Sequence, residues 1–408
     1  MVEGNLHRVA VTGVGCISAL GHNAAEFWRA LTHGVCGIGP ITKVSDHRLR
    51  VRIAAEVKNF SASSHFDRRQ INLLDPFAQF ALVSAAEAIK NSGLDINDHI
   101  GRRTAVVLGS GIGGDTSINH CAKMLYGQMK SGLHPLSIPR AMLNAAVSHI
   151  AISHGITGPA FAVSSACASA THAIGQAYLM VRHGMVRAAI TGGSEACITL
   201  GTLKAWESLR IMAPDTCRPF SRGRKGMVLG EGAGIIVLEP WQAARKRGAT
   251  ILAEIVGFGM SADANNMVHP SLDGTAKAIH QCLVDARLSA DCVDYVNAHG
   301  SGTPANDVIE TRALHRVFGA HARKLSVSST KSMHGHALGA SGALELIATI
   351  FAINNNVVPP TMNFSGRDPE CDLDYTPNQA REKPIRVALS NSFAFGGLNA
   401  VLAVKKAC

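Results

Sequence analysis

Short apolar runs alternate along this chain with longer alanine-rich stretches. Eight of the runs are dominated by Val, Ile, Leu and Ala, and several of them end in a glycine turn. Because these runs are nearly continuous rather than alternating apolar and polar, they are typical of strands buried on both faces by helices. The pattern therefore predicts an α/β fold. The predicted strands cover residues 8–15, 104–111, 188–193, 234–238, 251–259, 295–298, 325–329 and 386–390.

The two halves of the chain repeat this arrangement. Each half opens with a strand that ends in Gly-x-Gly, at residues 13–15 and 257–259, and each places candidate reactive residues after its later strands. A repeat on this scale indicates an internal duplication, and 408 residues are enough for two domains. We expect an N-terminal unit over residues 1–249 and a C-terminal unit over residues 250–408.

The composition is that of a well-packed globular protein, with 47% hydrophobic and 17% charged residues. The most apolar stretch, residues 344–353, is shorter than a membrane span and contains Glu345. Residues 1–5 begin no apolar signal region. These features predict a cytoplasmic protein without membrane insertion.

The net charge of +10 suggests an acidic partner. The Lys and Arg residues are scattered, and only 5% of the residues are aromatic, so we expect no nucleic-acid partner. The ten cysteines, which include Cys408, form no Cys-x-x-Cys pair. Their spacing therefore indicates neither a zinc ribbon nor a redox motif.

Cys167 is the first candidate for chemistry. It lies in a turn of small residues between a predicted strand at residues 161–163 and a helix predicted to run to about Gly184. A thiol at or just before a helix N-terminus is near free backbone N–H groups, which favour the thiolate. Small neighbours leave room for a substrate. The segment fits a nucleophile, and it also fits a buried core cysteine.

Two loops of the C-terminal half carry further candidates. His299 enters a glycine-rich loop after a predicted strand, and Lys331 and His336 lie in the loop that precedes the next helix. Glu345 on that helix is a possible counter-charge for Lys331. The three imidazoles of His299, His334 and His336 could instead bind a metal. No acidic or cysteine ligand lies near them in the sequence, so we expect no metal.

A fourth segment, residues 390–399, combines two phenylalanines with a glycine pair. In an extended strand Phe393 and Phe395 point to the same side. The segment fits ordinary core, and it also fits an apolar gate with exposed backbone donors beside it.

Together the four segments resemble one family, the elongating type II β-ketoacyl-acyl-carrier-protein synthases of the thiolase superfamily. The resemblance runs from Val11-Thr12-Gly13 to Phe395-Gly396-Gly397. The cysteine turn, the Asn-Ala-His-Gly loop, the Lys-Ser-Met-x-Gly-His loop and the Asn-Ser-Phe-x-Phe-Gly-Gly end occur in the family's order. The resemblance implies the thiolase fold, with five layers (αβαβα) built from two similar halves, and a homodimer.

The resemblance also implies an activity and the residues that perform it. An acyl group on Cys167 condenses with malonyl-acyl carrier protein, with loss of carbon dioxide, to give 3-oxoacyl carrier protein in fatty acid or specialised acyl-chain biosynthesis. His299 and His336 polarise the malonyl thioester carbonyl, and Lys331 has an orienting and electrostatic role. The backbone N–H groups of Cys167 and Phe395 hold the oxyanion.

The remaining matched positions concern the substrate. Phe395, with Phe393, matches the acyl gate. The acyl groups arrive on the phosphopantetheine arm of an acyl carrier protein, and no other cofactor is implied. The matched substrate-binding positions are Ser301 and Thr303 at the phosphopantetheine arm, Ile112 at the acyl pocket, and Gly396.

Several positions depart from the family's usual residues. They are Ala394 in place of glycine, Leu398 and His334 in place of threonine, Ser301-Gly302 in place of Thr-Ser, and Ser221 in place of a frequent aspartate.

The expected carrier-binding surface also departs from housekeeping members of the family. Asn72, Leu73 and Leu74 replace part of a basic cluster, and Glu207 lies in a region that is often basic. The changes resemble specialised members such as the ketosynthases of nodulation-factor lipid synthesis, which use a dedicated carrier protein. The cations that remain available for an acidic carrier are Arg68, Arg69, Lys123, Lys130 and Arg210.

Two other functions remain as alternatives. A thiolase-type acyltransferase would need a second reactive cysteine near the C-terminal glycine pair, where this chain has phenylalanines. A non-catalytic acyl-binding partner subunit would not need Cys167, His299 and His336, all of which are present.

Overall fold

The computed structural model describes residues 6–45 and 47–407; the signal-region prediction for residues 1–5 and Cys408 lie outside the described residues. The strands are β1 (Val9–Ser18), β2 (Gly39–Pro40), β3 (Ile53–Ala54), β4 (Thr104–Gly109), β5 (Ala160–Val163), β6 (Ala188–Glu195), β7 (Gly232–Pro240), β8 (Ala253–Ala262), β9 (Tyr295–Asn297), β10 (Ser326–Ser328), β11 (Val357–Val358), β12 (Arg381–Glu382), β13 (Val387–Ala394) and β14 (Leu398–Lys406).

The helices follow the same alternation. They are α1 (Ala24–Thr32), α2 (Arg68–Leu73), α3 (Pro76–Ser92), α4 (Asp98–Gly101), α5 (Asp115–Ala122), α6 (Ser137–Ala141), α7 (Ala145–His154), α8 (Ser169–Arg182), α9 (Leu200–Ser208), α10 (Trp241–Lys246), α11 (Leu272–Ala286), α12 (Pro304–Phe318), α13 (Lys331–His334) and α14 (Ser341–Asn355).

Ten strands form one mixed sheet in the order β10-β9-β13-β14-β8-β1-β7-β6-β4-β5. When the five strands of each half are numbered along the chain, both halves have the order 3-2-4-5-1 from the outer edge of the sheet to its centre. β1 pairs with β8 antiparallel and joins the two halves. The same strand order in both halves is expected of a duplicated unit. The division into residues 1–249 and 250–408 stays a proposal, and it falls between α10 and β8.

The helices lie in three layers. α8 and α14 pack against each other and against strands of both halves, so they form the middle layer. α3 and α7 cover the N-terminal half of the sheet on the outside, and α11 covers the C-terminal half with α12 packed against it. The predicted five-layered thiolase fold is confirmed.

The apolar stretch at residues 344–353 belongs to a longer apolar segment of the middle layer. Leu338–Asn355 spans 18 residues and is long and apolar enough, by composition alone, to cross a membrane. Within the protein 83% of this stretch is buried. A helix that lies between the two halves of the sheet is apolar on all sides because no face of it meets water.

Close contact between α8 and α14 depends on a glycine. A Cβ atom at Gly342 would lie 2.0 Å from Thr171 Oγ1, which forms a hydrogen bond of 2.7 Å with Ser392 Oγ. A larger residue would push the helices apart. The spacing matters for the site because both helices begin just after candidate catalytic residues.

Candidate active site

The candidate residues lie where strands end and middle-layer helices begin. β5 leads to Cys167, two residues before α8 starts at Ser169. β10 leads through α13 to His336, which precedes α14. Since β5 and β10 are the third strands of their halves, Cys167 and His336 occupy similar places in the repeat. His299 follows β9, the neighbour of β10.

One cavity of about 290 Å³ brings the predicted residues together. Gly397 lines it as well, while Gly396 uses its N–H to donate to the carbonyl oxygen of Met267. Ile112 is absent from the lining, and its N–H donates to Glu195. The predicted residues that line the cavity are Cys167, His299, His336, Ser301, Thr303, Phe393 and Phe395.

Cys167 sits in a tightly held turn. The preceding residue, Ala166, has a φ of 49°, a left-handed conformation that is unusual for alanine and is often found at active sites. The Ser169 hydroxyl donates to the Ala166 carbonyl oxygen over 2.6 Å and accepts the Ser165 N–H over 2.9 Å. The start of α8 therefore fixes the direction of the Cys167 side chain.

Burial disfavours the thiolate form of Cys167. The residue is 7% exposed, and burial raises the pKa of the thiol to about 12. The Lys331 ammonium and the backbone N–H of Phe395 act in the opposite direction on this pKa without cancelling the effect of burial. Burial therefore opposes the thiolate that the helix start would favour, and the thiolate stays a prediction.

His336 is a neutral imidazole with a defined tautomer. Burial, and then the Lys331 charge, hold its pKa well below the usual 6.5. Its Nδ1 accepts the Leu338 N–H over 3.2 Å and lies 2.8 Å from Ser341 Oγ. A neutral imidazole has one donor and one acceptor nitrogen. An accepting Nδ1 therefore places the proton on Nε2.

The tautomer of His299 is also defined, in this case by the charged side chain of Lys331. Burial, and then Lys331, lower its pKa well below 6.5. Lys331 Nζ lies 3.3 Å from His299 Nδ1, donates to the His299 carbonyl oxygen over 2.6 Å, and forms an ion pair with Glu345. An ammonium group only donates, so His299 Nδ1 accepts and Nε2 carries the proton. The two rings lie 5.4 Å apart in a T-shaped arrangement.

Comparison with known proteins agrees with this geometry. Residues 6–244 match the family model for the N-terminal domain of β-ketoacyl synthases, and residues 252–365 match the model for the C-terminal domain. The chain belongs to the β-ketoacyl synthase family. It is an acyltransferase of the condensing type.

Relatives of this synthase cover nearly its whole length. Nodulation protein E of Rhizobium sp. (strain N33) is 47% identical over 98% of this chain and 99% of its own. The 3-oxoacyl-[acyl-carrier-protein] synthase 2 of Coxiella burnetii (strain RSA 493 / Nine Mile phase I) is 42% identical over 98% of both chains. The solved AntDE:AntF complex, a type II PKS acyl-carrier protein with its ketosynthase, matches with a TM-score of 0.90 and 30% identity, over 98% of this chain and 100% of that one.

The two phenylalanines of the synthase have different neighbours. Phe393, in β13, is 5% exposed and makes an edge contact with His299 at 6.0 Å between ring centroids. Phe395 follows the end of β13 and stacks on Trp206 at 5.7 Å. Trp206 lines the cavity from α9. Sequence reasoning missed Trp206 because its partner lies 189 positions later in the chain.

Two buried glutamates hold the loops of the site, and both were missed. Glu310 accepts the N–H groups of His299 and Gly300, each over 2.8 Å. Glu195 accepts the N–H groups of Gly111 and Gly339, from the two halves of the synthase. Burial raises the pKa of Glu195 to about 7. In the sequence Glu195 and Glu310 look like ordinary strand and helix residues, because their partners are backbone groups of other loops.

The three histidines do not form a ligand set. His334 Nε2 lies 2.9 Å from Thr330 Oγ1, and the ring packs near Phe27 of α1. Across residues 6–45 and 47–407, no group of three or more His, Cys, Asp or Glu side chains is placed to hold a metal ion. The site consists of one thiol and two N–H donors in a mostly apolar cavity.

Proposed function

We propose that this synthase condenses an acyl group held on Cys167 with malonyl-acyl carrier protein to give 3-oxoacyl-acyl carrier protein. One observation carries the proposal. Cys167 and the imidazoles of His299 and His336, both with accepting Nδ1 atoms, line a single cavity.

The first half of the reaction is a transfer of the acyl group. The Cys167 sulfur bonds to the acyl carbon, the bond between that carbon and the carrier's sulfur breaks, and the thiol proton ends on the carrier's sulfur. Negative charge on the acyl oxygen is held by the backbone N–H groups of Cys167 and Phe395. The Phe395 N–H already acts on the Cys167 sulfur in the free protein.

The second half forms the carbon–carbon bond. Loss of carbon dioxide breaks a bond of the malonyl group and leaves an enolate, so no strong base is needed. The Nε2–H groups of His299 and His336 stabilise the enolate oxygen, as donors fixed in position before the reaction. The enolate carbon then attacks the acyl carbon, the bond to Cys167 breaks, and the sulfur takes up a proton from solvent.

Lys331 and Glu345 act behind the cavity. Both side chains are fully buried, so neither touches the substrate. Lys331 keeps His299 in the required tautomer, and Glu345 balances its charge. We propose a positioning role for this pair.

We propose that the substrates arrive on the phosphopantetheine arm of an acyl carrier protein, with no cofactor held by the synthase itself. Ser301 and Thr303, whose hydroxyls lie 2.9 Å apart in the cavity wall, would contact the arm. We propose Ile112 and Gly396 as contacts of the bound acyl chain, although neither lines the cavity of the free protein. The AntDE:AntF complex supports a carrier partner.

We also propose a homodimer in the cytoplasm. β5 is an edge strand that pairs with β4 on one side, and an exposed apolar edge is a ready site for pairing with another chain. Exposed apolar residues continue from this edge into the segment after α5. They are Phe161, Tyr126, Met129, Ile138 and Ile152, from 40% to 83% exposed. The nine free cysteines within residues 6–45 and 47–407 suit a reducing compartment.

The likeness to a nodulation protein supports a specialised acyl chain as the product. A thiolase reaction is not favoured, since Phe393 and Phe395 occupy the place of a second cysteine. A non-catalytic partner subunit is not favoured either, because the full set of donors surrounds Cys167.

Mass spectrometry of the Cys167 peptide tests the proposal. The synthase is mixed with acyl carrier proteins that carry chains of different length, and then with malonyl carrier protein. We expect an acyl adduct on Cys167 that disappears as 3-oxoacyl carrier protein forms. Condensation by a Cys167→Ala variant, or the lack of an adduct with every donor, would overturn it.

A further inference from the structure

The Glu195 carboxylate lies where a loop of the N-terminal half meets a loop of the C-terminal half. The residue ends β6 and is fully buried. An ionised carboxylate accepts about four hydrogen bonds, and all four are used here, so no acceptor is left for a substrate. The donors are the N–H groups of Gly111 at 2.7 Å, Ile112 at 3.1 Å and Gly339 at 3.0 Å, and the Ser110 hydroxyl at 3.1 Å.

One oxygen of this carboxylate joins the two halves. Oε2 accepts both the Gly111 N–H and the Gly339 N–H. The two backbones approach so closely that a Cβ atom at Gly339 would lie 2.2 Å from the Gly111 nitrogen, and a Cβ atom at Gly111 would lie 2.9 Å from Glu195 Oε2. The position of Gly339 therefore depends on where Oε2 is held.

Gly339 is connected to the tautomer of His336. The residue before it, Leu338, donates its N–H to His336 Nδ1 and has a φ of 41°. This left-handed conformation is unfavourable for leucine and persists only where the surroundings hold it. The other neighbour of Nδ1, the Ser341 hydroxyl at 2.8 Å, can either donate or accept. The Leu338 N–H is thus the contact that fixes the tautomer, and Glu195 holds the residue that follows it.

The same carboxylate acts on the nucleophile by its charge. Burial raises the pKa of Cys167 most, the Lys331 ammonium lowers it, and the Glu195 carboxylate raises it further. A negative charge close to a thiol disfavours the thiolate. Glu195 therefore has two separable effects, one of position on His336 and one of charge on Cys167.

We infer that Glu195 is a positioning residue that joins the loops of the two halves and thereby keeps the His336 proton on Nε2. The inference rests on the proposed function and adds the group that prepares the enolate donor before malonyl carrier protein arrives. Glu195 does this without contact with the imidazole, through Gly339 and Leu338.

The first test is Glu195→Gln, which keeps the size of the side chain and places an NH2 group among N–H donors. NMR of the synthase with nitrogen-labelled histidine shows which ring nitrogen of His336 carries the proton, and His336→Ala assigns the signal. We expect part of the population to carry it on Nδ1. Carbon dioxide release should slow about tenfold, less than the roughly 10²–10³-fold cost of a whole lost donor. Alkylation of Cys167 by iodoacetamide should be faster, because the nearby charge is gone.

Gly111→Ala separates position from charge and does not alter Glu195 itself. The added methyl group displaces Oε2, the movable end of a side chain, from a loop of the other half. We expect the same change in the His336 tautomer and slower carbon dioxide release, without faster alkylation of Cys167. This variant tests the inference even if Glu195→Gln does not fold.

Glu87→Gln is the matched control. The Glu87 carboxylate on α3 also joins two segments, since it accepts the N–H groups of Cys16 and Ala24, each over 2.9 Å. Burial raises its pKa as well. It lies in the outer layer, so its replacement should change neither the His336 tautomer nor the two rates.

A His336 tautomer that stays the same in Glu195→Gln or in Gly111→Ala would overturn the inference. So would equal slowing in Glu195→Gln and Glu87→Gln, which would assign Glu195 to general stability. Failure of the proposed function would look different, since the unmodified synthase would then form no acyl-Cys167. The NMR comparison would still report whether Glu195 controls His336.

Discussion

Leu338 donates its backbone N–H to Nδ1 of His336, and this contact sets which ring nitrogen carries the proton. Lys331 has the same effect on His299, because its ammonium group donates to His299 Nδ1. The two imidazoles thus reach one arrangement, with Nε2–H free, by a backbone group in one case and a buried cation in the other. Neutral N–H donors fixed in place can stabilise an enolate without reorganising.

Replacement of His336 by alanine removes one of these donors. We expect condensation to slow by about 10²–10³-fold, the usual cost of one lost oxyanion donor, while the Cys167 acyl adduct still forms. Carbon dioxide release and the mass of the Cys167 peptide, measured in one reaction, give the two rates. Equal loss of both would show that His336 serves acyl transfer instead.

Lys331→Met leaves Glu345 buried without its cation. Removal of one partner from a buried ion pair costs about 3–5 kcal/mol in the free energy of unfolding, and burial already raises the pKa of Glu345 to about 7. The urea midpoint should fall. Adding Glu345→Leu should recover much of the stability and none of the activity, since His299 still lacks the donor at Nδ1. Recovery of activity in the double variant would contradict the positioning role.

The sequence predicted the sheet well because its strands are buried on both faces. The eight apolar runs and the strand predicted at residues 161–163 all belong to the ten-stranded sheet. β14 was missed, although Ala400–Val404 is apolar, because it follows a glycine pair and ends in Lys405 and Lys406. Periodicity alone does not separate such a strand from a C-terminal extension.

The reactive groups of the site could be predicted, and most of their supports could not. Cys167, His299 and His336 stand in local motifs. Glu310 and Trp206 act across the fold, on a loop and a ring whose proximity exists only once the layers have formed. The burial that opposes a thiolate at Cys167 could not be predicted either, because burial depth is a property of the packed site.

Cys167 should react slowly with iodoacetamide at neutral pH. A thiol pKa raised to about 12 leaves little thiolate at pH 7, and the rate should keep rising with pH up to at least 10 without a plateau. The exposed Cys36 and Cys292 provide internal references in the same digest. A plateau for Cys167 near neutral pH would show that the resting residue is a thiolate.

Trp206→Ala removes the ring on which Phe395 stacks. We expect Phe395 to leave its position more often, so that alkylation of Cys167 by a bulky maleimide accelerates by roughly fivefold, the order of factor that about 1 kcal/mol of aromatic stacking represents. Trp28→Ala, which removes a similar contact with Phe351 far from the cavity, is the control. Equal acceleration in both variants would point to general loosening of the core.

His334 should make the synthase less stable as the pH falls. Burial, and then the Lys331 charge, lower its pKa from 6.5 to about 3. Below pH 6.5 the His334 imidazole is therefore protonated in the unfolded chain and stays neutral in the folded protein. The free energy of unfolding then falls by about 1.4 kcal/mol per pH unit until about pH 3. His334→Thr removes this contribution. Urea midpoints between pH 6.5 and 4 should decline less steeply in the variant, whereas a variant at the exposed His99 should follow the unmodified protein. Identical slopes for His334→Thr and the unmodified protein would show that this imidazole is protonated in the folded state.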